Sequence, residues 1–463
     1  MDTTGIPHPP HRLPLLGDLI GVNPRTPIQD SVRTGRELGP IYARKIGKTE
    51  LVIVSGGELV AELNDERRFA KHVGLGVQNL RSIAGDGLFT AYGSEPNWRL
   101  AHDILMPAFT QEAMRGYHPI MVEVARELLE AWDRRGTADV SADMTRLTLE
   151  TIGRAGFGYR FGSFERDQPH PFVSAMQRAL RFSQLSAVMP RLVRRALAGS
   201  AAANAADIRL MKDTVDEVIA GRRDGPGERD LLGLMLDRAH PDTGERLDPV
   251  NIRNQAITFV VAGHETTSGA LSFALYYLTR APGLLARAQA EVDALWGDGP
   301  DPEPAYADIA KLRYVRRVLD EAMRLWPTAP GYTRGAREDT VLGGRYPMRK
   351  GDWAIVNLPL LHRDPASWGP DAEVFDPERF APGAAKKRPA QAYKPFGTGE
   401  RACIGRQFAL HEAVLALGLL LHRYDFAVDE SYELKIAESL TLKPEGFRLE
   451  VRKRTARKLA PVG

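Results

Sequence analysis

The single cysteine of the chain, Cys403, lies in a loop whose residues suit it to bind a metal ion. With one cysteine among 463 residues, no disulfide and no site with several cysteine ligands can form within one molecule. Gly397 and Gly399 precede the cysteine and permit a tight loop with positive φ. The pattern from Ile404 onward is typical of a helix, which places the sulfur at the positive end of a helix macrodipole. We therefore expect a lowered pKa for the thiol and a thiolate that serves as a metal ligand.

The other residues of the loop indicate which metal group the thiolate would bind. Phe396 supplies an aromatic shield seven residues before the cysteine, and Gly405 leaves room for a flat group against the backbone. Arg401, two residues before the cysteine, is available to a carboxylate of that group. Together they predict a loop that supplies the fifth ligand of a haem iron, with Arg401 on a propionate. The alternative is an ordinary buried cysteine, the commonest role of a lone cysteine, which leaves the glycines, arginine and phenylalanine unexplained.

The loop resembles the cysteine-ligand loop of the cytochrome P450 family. Every position of that family's pattern F-G-x-G-x-R-x-C-x-G is filled here, from Phe396 to Gly405. A ten-residue pattern with six fixed positions is unlikely to arise by accident. The resemblance implies a cytochrome P450 fold with a haem b cofactor, its iron bound by Cys403 and its surroundings supplied in part by Phe396, Gly397 and Arg401.

A second region places an acid and alcohols at the centre of an apolar helix, which we expect over about residues 251–278. Burying Glu265 beside Thr266 carries a desolvation cost that asks for a reason. Gly263 weakens the helix by roughly 1 kcal/mol relative to Ala and opens its wall to a ligand. The alternative is an internal network in which hydroxyls bond to the carbonyl four residues earlier. The resemblance implies instead that Thr266 hydrogen-bonds oxygen over the distal face of the haem, while Glu265 helps to relay protons.

Three residues upstream are further candidates for contact with the cofactor. Trp98 and His102 are four residues apart on one helical face, and each has an N–H that can donate to a haem propionate. Packing in the core or at its rim is the alternative interpretation for both residues. Lys71 is a further candidate of the same kind.

An acid and two arginines are predicted to have a structural role. Glu321 and Arg324 are three residues apart at the end of a helix and can pair on one face. Arg379 matches a second arginine of the family, which holds the glutamate that corresponds to Glu321. We expect this group to tie the helix to the coil that presents Cys403, without a part in catalysis.

The resemblance becomes closer over about residues 10–455, where the chain is similar to the haem domain of self-sufficient bacterial fatty-acid hydroxylases, in which a P450 is fused to an FAD/FMN reductase. It implies a substrate pocket lined by apolar residues suited to a long aliphatic chain: Val77, Leu80, Phe89, Ala262, Ala329 and Leu440. Plain core is the alternative interpretation for each of them. One departure from the family is that its arginine and tyrosine anchors for the fatty-acid carboxylate appear here as Thr49 and Ile53. Arg44, Lys45 and Lys48 lie nearby in sequence and are alternative cations.

Composition agrees with a globular enzyme of the cytoplasm. Hydrophobic residues make up 43% and charged residues 26%, and the net charge of +3 does not point to nucleic acid. Residues 1–19 have neither the basic nor the apolar part of a signal peptide, and the longest apolar stretches are too short to cross a bilayer. We expect one haem domain over residues 1–463, mainly α with a small β subdomain. The helical part is expected near 95–325 and 404–422, and the β-rich part near 38–60, 326–400 and 430–452, including a final hairpin near 440–451.

These observations predict a monooxygenase that inserts one atom of O2 into a C–H bond, with subterminal hydroxylation of a medium- or long-chain fatty acid as the first substrate hypothesis. No Gly-rich phosphate loop within a βαβ unit is evident, so FAD and FMN are expected only on a reductase fused downstream or acting in trans with NADPH. The alternatives are a P450 for a small hydrophobic or aromatic substrate without a carboxylate, a peroxide-driven peroxygenase, and a haem-thiolate sensor. A comparison of turnover with peroxide and turnover with NADPH and a reductase distinguishes the peroxygenase from the monooxygenase.

Overall fold

The computed structural model describes residues 2–454 except 15–16, 19–20, 48, 167, 189–197 and 224–229. Helices dominate the fold, as the sequence predicts, and no helix in the described ranges is both long and apolar enough to cross a bilayer. The α-helices are α1 (Pro27–Leu38), α2 (Gly57–Leu63), α3 (Leu75–Ala84), α4 (Pro96–Leu105), α5 (Gln111–Arg135), α6 (Val140–Phe157), α7 (Pro171–Val188), α8 (Ala198–Arg223), α9 (Leu231–Asp237), α10 (Pro249–Thr279), α11 (Pro282–Trp296), α12 (Arg313–Leu325), α13 (Leu358–Leu361), α14 (Pro365–Trp368), α15 (Pro382–Lys387) and α16 (Arg406–Arg423).

The strands form small sheets beside the helices. They are β1 (Ile41–Ile46), β2 (Thr49–Val54), β3 (Phe69–Lys71), β4 (Thr137–Asp139), β5 (Gly331–Ala336), β6 (Thr340–Leu342), β7 (Tyr346–Met348), β8 (Trp353–Asn357), β9 (Tyr424–Val428), β10 (Ile436–Glu438), β11 (Leu442–Pro444) and β12 (Arg448–Lys453). The largest sheet has the order β1-β2-β8-β5-β3, in which only β2 and β8 are parallel. The others have the orders β4-β12-β9, β10-β11 and β6-β7.

The prediction of a final hairpin near 440–451 is wrong. The hairpin is formed by β10 and β11, and residues 439–441 form its turn. The chain then turns at Gly446, whose φ of 69° is in the left-handed region, and β12 pairs with β4 and β9 in another sheet. The alternating pattern identifies both strands, but it carries no information about which partner each strand takes.

The long helix α10 is the central wall of the helical part, and its position agrees with the sequence prediction. Asp248 caps it, because its Oδ1 accepts hydrogen bonds from the backbone N–H groups of Val250 and Asn251 at 2.8 and 2.9 Å. The helix packs against α6 and α12, and most of its middle is buried. Ala262 is exposed and Thr266 is half-buried within that middle, so one face of α10 borders accessible space.

The group around Glu321 connects α12 to the coil before the cysteine loop, as expected. Arg324 donates to Glu321 through Nε and Nη2 at 2.6 and 2.7 Å, and both side chains are fully buried. Arg379 Nε lies 3.7 Å from the same carboxylate. Glu321 also accepts the N–H of Asp376 at 2.8 Å, so the ion pair holds backbone of the coil directly. A buried pair of this kind is retained here because each remaining polar atom finds backbone partners.

Glu412 of α16 is a buried acid for which the fold supplies no ion-pair partner in the described residues. It is 2% exposed, and neither carboxyl oxygen has a hydrogen-bond partner. Burial raises the pKa of Glu412 to about 8, and the neighbouring Thr151 hydroxyl, which donates to the Leu147 carbonyl, offsets only a little of that shift. The side chain is therefore mostly protonated at neutral pH.

Ionisation of Glu412 should make the protein less stable as pH rises. The folded state retains a proton that the unfolded chain, with a carboxyl pKa near 4.5, has lost, so stability falls between about pH 4.5 and pH 8. In Glu412→Gln this component is absent, and the difference in unfolding free energy from wild type should grow towards pH 8 by up to about 4 kcal/mol. Denaturant unfolding of the haem-loaded protein from pH 5 to 9 measures it. Glu130→Gln, on the exposed face of α5, is the control; parallel curves for wild type and Glu412→Gln would contradict the assignment.

Candidate active site

The cysteine loop is a tight turn followed by a helix. The backbone N–H of Cys403 donates to the carbonyl of Phe396 at 2.9 Å, which closes the loop. Gly397 and Gly399 have φ of 70° and 69°, as the sequence predicts. The helix α16 begins at Arg406, with Gly405 as its N-cap, so the cysteine lies two residues before the cap and not inside the helix. A Cβ at Gly405 would have only the Phe109 ring as a neighbour, at 3.8 Å, which leaves this part of the backbone open.

The predicted lowering of the thiol pKa is wrong for the protein alone. Burial raises the pKa of Cys403, and the Gly405 N–H and the Arg406 charge offset only part of that effect. The side chain is nevertheless accessible to solvent. Both observations hold for a thiol at the bottom of a recess, where protein atoms surround it closely but one side is open. Because the sulfur precedes the helix, the dipole acts on it less than the sequence argument assumed.

One face of α10 borders the same recess as Cys403. Phe259, Ala262, Thr266 and Ala270 recur at helical spacing along this face. At one end, the Phe259 ring stacks on Phe109 with 6.0 Å between centroids, and Phe109 is the neighbour of Gly405. At the other end, Ala270 belongs to a buried cluster against which Phe396 packs. The cysteine loop therefore approaches this face at two places, through Phe109 at Gly405 and directly at Phe396, and the accessible stretch of Ala262 and Thr266 lies between them along the helix.

The two predicted catalytic residues point to different places. Thr266 Oγ1 donates to the Ala262 carbonyl at 2.9 Å, which leaves its lone pairs free on the accessible face. Glu265 is 4% exposed, and its Oε2 accepts hydrogen bonds from Thr441 Oγ1 at 3.2 Å and Ser439 Oγ at 3.4 Å. The alternative interpretation, a hydroxyl bonded to the carbonyl four residues earlier, is therefore correct for Thr266. The Glu265 carboxylate instead contacts the turn between β10 and β11.

Three cations converge at the rim of the recess. Lys71 Nζ donates to the Phe89 carbonyl at 2.5 Å, and Arg401 donates to the carbonyls of Leu88 and Ala91 at 3.3 and 3.1 Å. Desolvation lowers the pKa of Lys71 to about 7, with further contributions from the charges of Arg401 and Arg334. Desolvation also lowers the pKa of Arg401 to about 10. Cations that are held close together in a desolvated site repel one another, and the site therefore favours binding of an anion.

Arg334 is the member of this group that the sequence argument missed. It is 3% exposed, it donates to the Thr398 carbonyl of the cysteine loop at 3.0 Å, and its nearest carboxylate oxygen, on Glu66, is 3.9 Å away. A signal was present: Arg334 alternates with Tyr332 and Ala336 in a strand-like run, which places a cation on an inward face. Such a residue needs an anionic partner.

The predicted aromatic contacts form a stack on this cluster. The Arg401 guanidinium lies 4.0 Å from the Trp98 ring centroid, and Trp98 stacks on His102 at 5.1 Å. The Nδ1 atom of His102 is 2.9 Å from Asp103 Oδ1, so this nitrogen is occupied and only Nε2 is available to another group. Trp98, His102, Lys71 and Arg401 are thereby brought together as expected.

The residues present fit a haem. The recess offers a sulfur donor at its base, an open backbone at Gly405, and three cations at its rim with no carboxylate within 3.5 Å in the described residues. A haem has a flat ring and two propionates, which would satisfy both the open backbone and the cations. Cys403 would hold the iron, and Lys71, Arg334 and Arg401 would hold the propionates.

The predicted pocket residues fall into two groups. Ala329 and Leu440 are half-buried and adjoin α10, because Leu442 N–H donates to the Thr328 carbonyl at 2.9 Å and Thr441 bonds to Glu265. Phe89 is 41% exposed beside Lys71, Val77 is half-buried on α3, and Leu80 is 4% exposed within the helical core. The geometry brings the segments that carry Ala329 and Leu440 to α10 near Glu265, while contact of the predicted pocket residues with a substrate stays a prediction.

A family model described as cytochrome P450 matches residues 7–451. The bifunctional cytochrome P450/NADPH–P450 reductase 2 of Bacillus subtilis (strain 168) is 49% identical over 91% of this chain and 40% of its own length. A bifunctional cytochrome P450/NADPH–P450 reductase of Bacillus cereus is 45% identical over 97% of the chain and 42% of its own length. A self-sufficient cytochrome P450 monooxygenase of Phanerodontia chrysosporium is 42% identical over 96% and 42%. The chain therefore spans less than half the length of these curated relatives.

Arg334→Leu should weaken retention of haem. The substitution would remove the charge-assisted contact that Arg334 would make to a propionate, worth about 1.5–3 kcal/mol, so haem should dissociate about tenfold to a hundredfold faster. Transfer of haem to an excess of an apo-globin measures this rate. Arg337→Leu, three residues along and exposed, is the matched control and should leave the rate unchanged. If Arg401→Leu accelerates the loss but Arg334→Leu does not, Arg334 has no part in holding the cofactor.

Proposed function

The chain belongs to the cytochrome P450 family, whose members bind haem iron, and on that premise we propose that it is a monooxygenase that hydroxylates a hydrophobic substrate. The observation that carries the proposal is the cysteine loop with its accessible Cys403 sulfur, packed against the face of α10 whose stretch at Ala262 and Thr266 is accessible. The overall reaction is O2 + RH + two electrons + two protons giving ROH and water. Bound haem supplies the activation of oxygen, and the protein supplies position, protons and exclusion of water.

Each residue of the recess has a part that follows from its surroundings. The Cys403 thiolate would hold the iron, and the rings of Phe396 and Phe109 shield the two flanks of its loop from water. The Thr266 hydroxyl, anchored to the Ala262 carbonyl, keeps an accepting oxygen on the accessible side, where it can hold and pass on a proton. Glu265, whose carboxylate accepts hydrogen bonds from the hydroxyls of Ser439 and Thr441, helps to relay protons.

The electrons would come from NADPH through a flavoprotein. The two bacterial relatives are named as fusions of a cytochrome P450 with an NADPH–P450 reductase, and this chain matches the P450 part. We propose an FAD/FMN reductase, fused downstream or supplied in trans, as the partner.

The ligand of the iron tests the proposal directly. The reduced CO complex of the wild type should show the red-shifted Soret band that a thiolate ligand gives to haem, and Cys403→His should abolish the band while haem still binds. Absorption spectra of the purified proteins decide the matter. A red-shifted band that survives in Cys403→His would remove the basis of the proposed function.

For the substrate we propose a long-chain fatty acid, oxidised at a subterminal carbon, and Arg44 supports this choice. Arg44 of β1 is 7% exposed, its Nη2 donates to Thr34 Oγ1 of α1 at 2.6 Å, and its Nε has no partner. No carboxylate of the described residues forms an ion pair with it. A buried guanidinium with one neutral partner has free donors for a carboxylate. Of the other nearby cations, Lys45 is half-buried and Lys48 lies outside the described residues.

Arg44 also explains why the family's two anchor positions can be Thr49 and Ile53 here. Ile53 is 5% exposed and packs with Tyr42 and Leu360 under α1, so its place in the structure is filled by core contacts. Arg44 projects to the same face of the sheet as Ile53, because Tyr42 pairs with Ile53 and lies two residues from Arg44. The cation has moved from β2 to the neighbouring strand.

The backbone distances across the sheet support a substrate of this length. Arg44 and Gly331 are three strand spacings apart, about 14 Å, in the order β1-β2-β8-β5. Arg44 pairs with Leu51 and Trp353 pairs with Gly335. If the register of Ile53 with Ile355 is continued by two residues, Leu51 is level with Trp353 and Arg44 with Gly335, about 13 Å along β5 from Gly331. The diagonal of about 19 Å is the length of an extended chain of about sixteen carbons. Gly331 follows Ala329 by two residues, so such a chain would reach from Arg44 to the pocket.

Arg44→Gln should weaken binding of hexadecanoic acid about tenfold to a hundredfold and leave binding of hexadecanol nearly unchanged, because only the acid uses the charge-assisted contact. Glutamine keeps a donor for Thr34, which limits structural damage. The spin-state shift on titration with each ligand measures affinity, and Lys45→Gln is the control on the next residue of the strand. Equal weakening for acid and alcohol would mean that Arg44 supports the channel without binding a carboxylate.

A further inference from the structure

Glu438, the last residue of β10, binds the N-terminus of a helix more than four hundred residues earlier. Its Oε2 accepts the backbone N–H of Ile28 at 2.7 Å, and its Oε1 accepts that of Gln29 at 2.9 Å. These are the second and third residues of α1, whose own N-cap, Thr26, makes no side-chain hydrogen bond to the helix. A carboxylate at this place also meets the positive end of the helix dipole. Glu438 therefore caps α1 from the β10–β11 hairpin.

The same hairpin is held from the opposite side by α10. Ser439 and Thr441 both donate to Glu265 Oε2, so carboxylates fix the turn on two sides. Leu442 N–H adds the backbone bond to the Thr328 carbonyl. Leu440 lies between the two hydroxyl residues and is half-buried against the helical core. Its position is thus determined by the residues on both sides of it, which touch the walls of the proposed pocket.

α1 connects this hairpin to Arg44. The Thr34 hydroxyl accepts a hydrogen bond from the Arg44 guanidinium. Thr34 is six residues from Ile28, about 9 Å along the helix axis. A substrate that reaches from Arg44 to Ala329 would pass along α1, with Thr34 near its carboxylate and Ile28 towards its other end. The contact of Glu438 with Ile28 and Gln29 then sets the distance between the anchored end of the substrate and Leu440.

α1 does not need Glu438 to stay on the sheet. Ser31 accepts a hydrogen bond from Tyr42 Oη through its carbonyl at 2.9 Å and one from Asn357 Nδ2 through its Oγ at 3.0 Å. The Arg44 bond to Thr34 adds a third attachment. The contact of Glu438 consequently fixes the hairpin relative to α1 more than it fixes α1 itself.

We propose that Glu438 is a positioning residue that determines which substrate carbon is oxidised, by holding Leu440 at a fixed distance from the carboxylate end of the channel. The proposal rests on the proposed function, since it concerns the substrate of that reaction. Glu438 binds the backbone of α1 and acts through Leu440.

The first arm of the test measures the contact without any turnover. In Glu438→Gln one of the two accepting oxygens is replaced by a donor, so the amides of Ile28 and Gln29 should exchange hydrogen about tenfold faster. Hydrogen exchange of the haem-loaded protein, read in peptides covering 26–31 and 436–444, reports on both sides of the contact. Glu445→Gln is the matched control, because its side chain is exposed just beyond the same hairpin. Unchanged exchange in Glu438→Gln would overturn the proposal.

The second arm measures the positions of hydroxylation of hexadecanoic acid. Glu438→Gln should shift the ratio of subterminal products about threefold or more, with a larger effect on KM than on kcat, and Glu445→Gln should not. In a Leu440→Ala background the same substitution should have no further effect on the ratio, because Glu438 acts through that side chain. Product ratios that stay at the wild-type values, or shift equally with and without Leu440, would overturn the proposal.

The two arms separate failure of this inference from failure of the proposed function. If wild type forms no hydroxylated product from acid or alcohol with a competent reductase, the function is wrong and the regiochemical role falls with it. If wild type hydroxylates and only the Glu438 results are negative, the function stands and the positioning role is wrong.

Discussion

Three cations share a desolvated space at the rim of the recess, and the surrounding structure has to hold them against their mutual repulsion. Lys71 comes from β3, Arg334 from β5 and Arg401 from the cysteine loop, so the sheet and the loop must dock for the group to exist. Their backbone partners are carbonyls, which orient the charges without neutralising them. Burial without counter-charge is costly for the protein alone and is relieved when an anion binds. Binding of the cofactor therefore stabilises the folded protein.

The second requirement is a helix with two different faces. α10 is buried against α6 on one side, where Thr148 donates to the His264 carbonyl at 2.7 Å, and it borders the recess on the other. Gly263 faces Ile152 of α6, where a Cβ would approach to 3.2 Å, so this glycine serves close helix packing. The expectation that it opens the wall to a ligand is wrong. The open place on the accessible side is Ala262, one residue earlier.

The sequence predicts most reliably what is encoded by neighbouring residues. The cysteine loop, the extent of α10 and the Glu321–Arg324 pair are local patterns, and the structure has all three. Arg334, Glu438 and the free donors of Arg44 depend on partners far away in sequence. Periodicity assigns such residues to an inward or outward face, but it cannot identify what they meet there. The misassigned final hairpin and the overestimated helix dipole at Cys403 have the same origin, since both depend on where one element stops relative to another.

A proton relay through Glu265 would depend on the same contacts that hold the β10–β11 turn beside the proposed pocket. Its carboxylate lies against the hydroxyls of Ser439 and Thr441, while its neighbour His264 is fully buried, with the pKa of its ring lowered by desolvation. A neutral His264 is not a competing counter-ion, so Glu265 remains bound to the hairpin turn. A rotation that turned Glu265 Oε2 towards the recess would break both of these hydrogen bonds. Such a rotation would alter the contacts that hold Leu440, so the proposed proton relay and the proposed placement of the substrate depend on the same two hydrogen bonds.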